Sequence, residues 1–162
     1  MSAYREGRPQ LVHVLEKKLA PHGFAPIAPD APLVARGIRK LFHRKTWNTN
    51  RGVVLVEPGA TRLRDVVESS RFEAGAFLGS SWWSQLGLQL VLTFADAPRL
   101  PTQEELEEHV DKVNTQGILV QSVFAVDVMT GEWAQGRTWG QLITGKFQDA
   151  IQASIQEVVG EH

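Results

Sequence analysis

A cluster of cations is the feature of this chain whose residue types and spacing most clearly suggest chemistry. Six basic residues and no acid stand between Arg36 and Arg51, whereas six acids and one arginine stand between Asp96 and Asp111. Cations interleaved with a tryptophan and two asparagines suit a phosphate backbone or an acidic peptide, because they combine charge attraction, stacking and amide hydrogen bonds. We therefore predict a ligand-binding surface with these members: Arg39, Lys40, Arg44, Lys45, Trp47, Asn48, Asn50 and Arg51.

Two other interpretations of this charge separation stay open. The basic and acidic segments could pair with each other, within one chain or between two copies in a homodimer. They could also be two ordinary solvated faces. If the basic surface does bind a partner, that partner is an anionic ligand or an acidic protein.

A second aromatic surface is expected near the C-terminal third of the chain. In an extended conformation, Trp133, Gln135, Arg137 and Trp139 alternate onto one face. Trp133 and Arg137 there could stack a planar ligand, and we include both among the candidate ligand-binding residues. The same face could instead belong to the core, with the Arg137 head group reaching out to solvent.

Other motifs match catalytic or metal-binding sites only in part. Residues 140–146 have the glycine and lysine spacing of a phosphate-binding P-loop, but Phe147 stands where a hydroxyl should bind magnesium, so a helix is the better interpretation. The chain has no cysteine, and its five histidines include no pair at ligand spacing. No metal site and no cofactor are therefore predicted, and the catalytic residues, if there are any, stay unknown.

Three carboxylates stand at the ends of predicted strands. Glu57, Asp96 and Asp127 are the side chains that could serve as acid, base or metal ligand in an enzyme. Such an enzyme would act on a phosphate-bearing or nucleic-acid substrate, and two of these carboxylates in one pocket beside the basic residues would favour it. This is an alternative to a pure binding function, and we favour the absence of catalysis.

The composition indicates one folded domain. The chain has 162 residues, of which 43% are hydrophobic and 22% charged, and its net charge is -1. That length supports a core without disulfides, so residues 1–162 are expected to form a single domain. The start has no apolar signal region, and no stretch approaches the roughly 18 apolar residues of a membrane span. These observations predict a cytoplasmic protein with no membrane partner.

Hydrophobic periodicity and turn residues predict the elements that position these side chains. A proline-rich connector at 21–32 follows an N-terminal helix. Residues 31–45 fit either a helix or a strand, and we predict a short helix to about Lys40 and an extended stretch through Trp47, which forms a hairpin with 53–57. The other predicted helices cover 9–20, 61–77, 102–114 and 140–159, and the other predicted strands cover 82–94, 118–129 and 133–139.

The order of these elements predicts the fold class. In the strand at 82–94, alternate residues such as Leu90 should face the core, and the others, such as Gln89 and Thr93, should face a wetter surface. Because strands adjoin through short turns and strictly alternating βαβ units are missing, we expect an α+β fold: a mainly antiparallel sheet with helices packed on one face, in a single-domain sandwich.

The best-supported function is that of a small binding or interaction module, whose basic, tryptophan-containing surface contacts an anionic ligand or protein. Its first alternative is the enzyme described above. A second alternative is a secretion-chaperone-like dimer, which rests only on the order of helices and strands.

Overall fold

The computed structural model describes residues 2–47, 49–79, 85–111, 117–137 and 141–159. These residues form six strands and five α-helices, with a short 3-10 helix over Ala20–His22. The helices are α1 (Ser2–Leu19), α2 (Ala31–Ala35), α3 (Leu63–Leu78), α4 (Gln103–Glu107) and α5 (Gln141–Val159). The strands are β1 (Ala25–Ile27), β2 (Ile38–Lys45), β3 (Asn50–Val56), β4 (Leu86–Phe94), β5 (Ile118–Asp127) and β6 (Trp133–Arg137).

All six strands belong to one mixed sheet, in which the spatial order follows the chain order from β1 to β6. The pairs β1–β2, β2–β3 and β5–β6 are antiparallel, whereas β3–β4 and β4–β5 are parallel. Helix α3 connects β3 to β4 and helix α4 connects β4 to β5, which gives the parallel strands the crossovers that they need. The carboxyl ends of β3, β4 and β5 therefore meet at one edge of the sheet.

Helices cover both faces of the sheet and enclose two cores. One core lies between the sheet and the layer of α2, α3 and α4, and the other lies between the sheet and the pair α1 and α5. Representative members are Val54, Val67, Leu90 and Val123 in the first core and Leu15, Phe42, Phe124 and Ile151 in the second.

The structure confirms the predicted α+β content and corrects two of its details. The sheet is mixed rather than mainly antiparallel, and its helices pack on both faces rather than one. Strand β4 shows the reason, because every residue from Leu86 to Thr93 is buried, as is typical of a parallel strand covered on both sides. Gln89 and Thr93, which we expected on a wetter face, are only 0% and 1% exposed.

Residues 31–45 form a helix and then a strand, as predicted, but the helix is shorter. It ends at Ala35 and the strand begins at Ile38. Between them Gly37 has a φ of +87°, and a Cβ there would lie 2.5 Å from the carbonyl oxygen of Glu57. Only glycine fits this conformation and this close approach, so the chain must leave the helix here.

The acidic helix is also shorter than predicted, although it begins where expected. Thr102 Oγ1 accepts a hydrogen bond from the backbone N–H of Glu105 at 3.2 Å, which caps the helix. The helix ends at Glu107, and Asp111 Oδ2 accepts instead from the backbone N–H of Val120 in β5 at 2.7 Å. This bond draws the chain back to the sheet, while the carboxylates crowded along 104–108 disfavour a longer helix.

The segment predicted as a connector at 21–32 contains a strand, β1 (Ala25–Ile27), which pairs with β2, and the remaining elements differ from the predictions in their bounds. Helix α1 begins at Ser2, so Pro9 lies within it rather than in its first turn. Of the strand predicted over 82–94, the structure shows Leu86–Phe94, and residues 82–84 lie outside the described part. Within the described ranges, no helix is both long and apolar enough to cross a bilayer.

Candidate anion-binding site

The cations of the basic segment divide between the two ends of β2. At the start of the strand, Arg36 Nε lies 3.6 Å from Glu73 Oε1, and Arg39 Nε lies 3.3 Å from Glu57 Oε2. Both guanidiniums are therefore paired with acids from outside the basic segment. The charge available to a ligand is consequently concentrated at the other end of the strand.

Arg44 and Arg51 face each other across the β2–β3 hairpin at that other end. They are register partners, so their side chains leave the same face of the sheet, and both are half-buried. Among the described residues, no carboxylate lies within ion-pair distance of either one. Burial, and then the charge of Arg44, lower the pKa of Arg51. A guanidinium stays protonated at neutral pH, so the two positive charges act on each other, and no carboxylate of the described residues neutralises them.

A glycine in the next strand makes room for Arg51. Gly87 of β4 is the register partner of Arg51, and a Cβ on Gly87 would lie 2.9 Å from Arg51 Cδ and 2.5 Å from Gln121 Oε1. The side chains of Arg51 and Gln121 therefore meet above the bare backbone of Gly87. A larger residue at this position would push them apart.

Gln121 is held by a network of buried polar side chains between the sheet and α5. Its Oε1 accepts from Gln89 Nε2 at 2.7 Å, and Gln89 Oε1 accepts from Gln148 Nε2 of α5 at 3.1 Å and from the hydroxyl of Ser122. All four side chains are at most 3% exposed. Sequence reasoning missed this network. Its only signal was the presence of glutamines inside otherwise apolar strands, and we expected one of them, Gln89, to face a wetter surface.

The hairpin tip beyond the arginine pair carries an exposed aromatic side chain. Trp47 is 90% exposed, and the backbone N–H of Thr46 donates to the carbonyl of Thr49 at 2.7 Å to close the turn. Lys45 is also exposed. A tryptophan exposed to this degree, next to cations, is a suitable platform for a planar group.

Asn50 lies in the same hairpin but does not face solvent. It is 1% exposed, its Oδ1 is 2.5 Å from His43 Nε2, and its Nδ2 donates to the carbonyl of Gly79 at 2.6 Å. Asn50 therefore ties the hairpin to the end of α3 instead of presenting an amide to a ligand.

The other predicted site residues lie away from the arginine pair or outside the described residues. Lys40 is half-buried in β2, and Trp133 is half-buried against the core formed with α1 and α5. Arg137 ends β6, where its backbone pairs with Ser122. Asn48 and Trp139 fall outside the described residues.

The strand-end carboxylates occupy the opposite edge of the sheet. Glu57 and Asp96 line one cavity of about 490 Å³, together with Thr93 and Arg99. Asp127 lies at the same edge, but its two oxygens accept from four backbone N–H groups, so they have little capacity left for a substrate. Within the described ranges, no three acids or histidines lie together as metal ligands would.

The segment with P-loop spacing is helical where it is described. Gly145 and Lys146 lie within α5, and Lys146 is exposed. Comparisons of this chain with family models, with curated proteins and with solved structures find no match.

Proposed function

We propose that this protein is a binding module that holds an anionic ligand at the Arg44–Arg51 pair, with Lys45 and Trp47 beside it. The observation that carries the proposal is the pair itself: two half-buried arginines on one face, with no carboxylate of the described residues to neutralise them. Two like charges repel each other more strongly where they are partly removed from water, and a bound anion offsets that repulsion.

Trp47 and Lys45 extend this surface toward the hairpin tip. An exposed tryptophan contributes stacking to a base or another planar group, and lysine contributes a mobile charge. Single-stranded nucleic acid combines phosphates with stackable bases, so it is the preferred probe. Arg36 and Arg39 are not part of this surface in the proposal, because acids already pair with them.

Salt dependence tests the proposal. Fluorescence anisotropy with a labelled oligonucleotide, and separately with an acidic peptide, is measured at 50 and 200 mM salt. If Arg44, Lys45 and Arg51 each contact a phosphate, oligonucleotide affinity should fall about 20-fold over this range, from a slope of about -0.7 per contact. In the double variant Arg44→Ala with Lys45→Ala, one contact remains, and the fall should be only about threefold.

Arg36→Ala is the matched control, because it removes an arginine of the same segment that already faces Glu73. It should leave both the affinity and the slope unchanged. Binding of the peptide but not the oligonucleotide would identify an acidic protein as the partner. If neither probe binds at 50 mM salt, the proposal is wrong.

A second candidate function, an enzyme, is favoured by the cavity at the carboxyl ends of β3 and β4. Ligands of sheets with parallel strands commonly bind at this edge, and here Glu57 and Asp96 both line the cavity. The test is hydrolysis of a chromogenic phosphodiester by the wild type and by Asp96→Asn. Turnover that the substitution abolishes would support catalysis, whereas no turnover by the wild type would count against it.

A further inference from the structure

The charge of the arginine pair restricts the kind of anion that it can hold. Arg44 and Arg51 bring two positive charges, and no acid of the described residues lies within ion-pair distance of them. A carboxylate or an internal phosphodiester brings one negative charge, whereas a phosphate monoester carries about -1.5 to -2 at pH 7. A monoester therefore balances the pair more closely. The balance matters because both arginines are partly buried, where an uncompensated charge is costly.

The hydrogen-bond network indicates a third donor beside the two guanidiniums. Gln89 uses its Oε1 to accept from Ser122 and Gln148, so its Nε2 is the end that donates to Gln121. The amide oxygen of Gln121 is thereby occupied, and its NH2 group is the end left to donate. A terminal phosphate has three free oxygens, which matches a site with two guanidiniums and one amide.

Gly87 allows the side chains of Arg51 and Gln121 to approach each other. Without a side chain at this position, Arg51 and Gln121 approach each other over β4, to within 2.9 and 2.5 Å of where a Cβ would stand. Glycine in the interior of a buried strand weakens the strand, and it is typical of places where other groups must come close. Gly87 thus shapes the site without contacting the ligand by a side chain.

We infer that the Arg44–Arg51 site takes the terminal phosphate of a phosphate monoester, with the amide of Gln121 as the third donor. This inference rests on the proposed function and names its ligand class. The phosphate could belong to the end of a nucleic acid strand or to a small phosphorylated molecule, and the experiment below separates these two sources.

The experiment is a competition against a 3′-fluorescein-labelled, 5′-phosphorylated decathymidine oligonucleotide. The competitors are the unlabelled oligonucleotide with a 5′-phosphate, the same oligonucleotide without it, and inorganic phosphate. The phosphorylated competitor should act at a concentration at least tenfold lower than the unphosphorylated one. Displacement by millimolar inorganic phosphate as well would indicate a site for the phosphate group alone, and displacement by oligonucleotide only would indicate a strand end.

Two substitutions connect this preference to the proposed donors. The Cβ in Gly87→Ala meets side-chain atoms of Arg51 and Gln121 and must displace them, so the tenfold preference should fall to about one. Gln121→Glu provides the missing acid next to Arg51 and should abolish the preference as well. Arg36→Ala should keep it. A thermal melt of each variant checks the fold, and if Gly87→Ala fails to fold, Arg44→Ala replaces it with the same expected loss.

The outcomes separate the inference from the function on which it rests. If both oligonucleotides compete equally, the site binds anions but the inference is wrong. If Gly87→Ala and Gln121→Glu retain the tenfold preference, the phosphate binds elsewhere and the inference is again wrong. If the labelled oligonucleotide does not bind at all, the inference is wrong, and the proposed function fails with it only if the acidic peptide does not bind either.

Discussion

Asp127 should contribute strongly to the stability of the fold, although the substitution Asp127→Ala removes few atoms. Its carboxylate accepts from the backbone N–H groups of Asp96 at 3.0 Å, Ala97 at 2.7 Å, Met129 at 2.9 Å and Thr130 at 3.0 Å. It thus joins the loop after β4 to the turn between β5 and β6. Asp127→Ala would leave all four N–H groups without this acceptor.

The cost of that substitution follows from the number and surroundings of these bonds. A hydrogen bond to a charged group contributes about 1.5 to 3 kcal/mol, but four bonds to one carboxylate are not additive. The four donors belong to loop residues that are at least partly exposed, so water replaces part of what is lost. Taking the loss as that of two bonds gives about 3 to 6 kcal/mol, or a fall in Tm on the order of 10 °C.

The same carboxylate makes a prediction about pH. Burial acts to raise the pKa of Asp127, but the four backbone N–H donors outweigh it and hold the pKa below its usual value. Because the folded-state pKa lies below the unfolded one, the stabilisation is fully present above about pH 4 and is lost as pH falls through the folded-state pKa. The stability difference between the wild type and Asp127→Ala should therefore shrink below about pH 4.

Calorimetry or circular dichroism melts of both proteins between pH 7 and pH 2.5 measure these effects. Glu132→Ala is the matched control, because it removes an exposed carboxylate from the same turn and should change the free energy of unfolding by less than about 0.5 kcal/mol. An unchanged Tm in Asp127→Ala at pH 7, or a difference that persists undiminished at pH 2.5, would refute the reasoning.

Three further predictions concern the core, the packing of the sheet edge and the segment with P-loop spacing. Leu90 is fully buried in the core beneath α3, so Leu90→Ala should lower the free energy of unfolding by about 2 to 5 kcal/mol in a denaturant titration, and an unshifted midpoint would count against this packing. A Cβ on Gly136 of β6 would lie 2.6 Å from the backbone nitrogen of Glu107, so Gly136→Ala should force β6 from α4 and cost about 1 to 3 kcal/mol or more, which a melt with a wild-type Tm would contradict. Lys146 lies exposed in α5, so titration calorimetry with Mg-ATP should show no saturable heat for the wild type or for Lys146→Ala, and micromolar binding lost in the variant would overturn the helical interpretation.

Local patterns predicted the elements well, and what they missed depends on contacts between distant residues. The hairpin around Trp47 and the helix start at Thr102 follow from turn and capping residues close together in the chain. The alternation of β4 was predicted correctly, but its second face was wrongly expected to be wetter, because Gln89 has a partner in Gln148, 59 positions away. A polar residue in a strand indicates solvent only when no such partner exists, and the sequence does not show that partner.

The candidate site was predicted in part for the same reason. Counting charges along the chain located Arg44 and Arg51. The same count could not show that Arg36 and Arg39 are neutralised, because their partners Glu73 and Glu57 lie outside the basic segment. The sequence also predicted Asn50 as a ligand-binding residue, whereas its side chain is buried and forms hydrogen bonds with His43 and Gly79. Gly87 and Gln121 were not predicted as site residues because both matter through contacts between strands. Gly87 leaves room for the side chains of Arg51 and Gln121, and Gln121 is held by Gln89.

The strands lie in the sheet in the same order as in the chain, and this arrangement affects the order in which they pair during folding. The hairpins β2–β3 and β5–β6 close over short turns, and such hairpins form within about 1 to 10 microseconds. The parallel pairs β3–β4 and β4–β5 can form only after the chain has closed the loops that contain α3 and α4, which costs entropy before any contact is gained. The flanks of the sheet should therefore be present before its centre, and the joining of the two hairpins through β4 should set the folding rate.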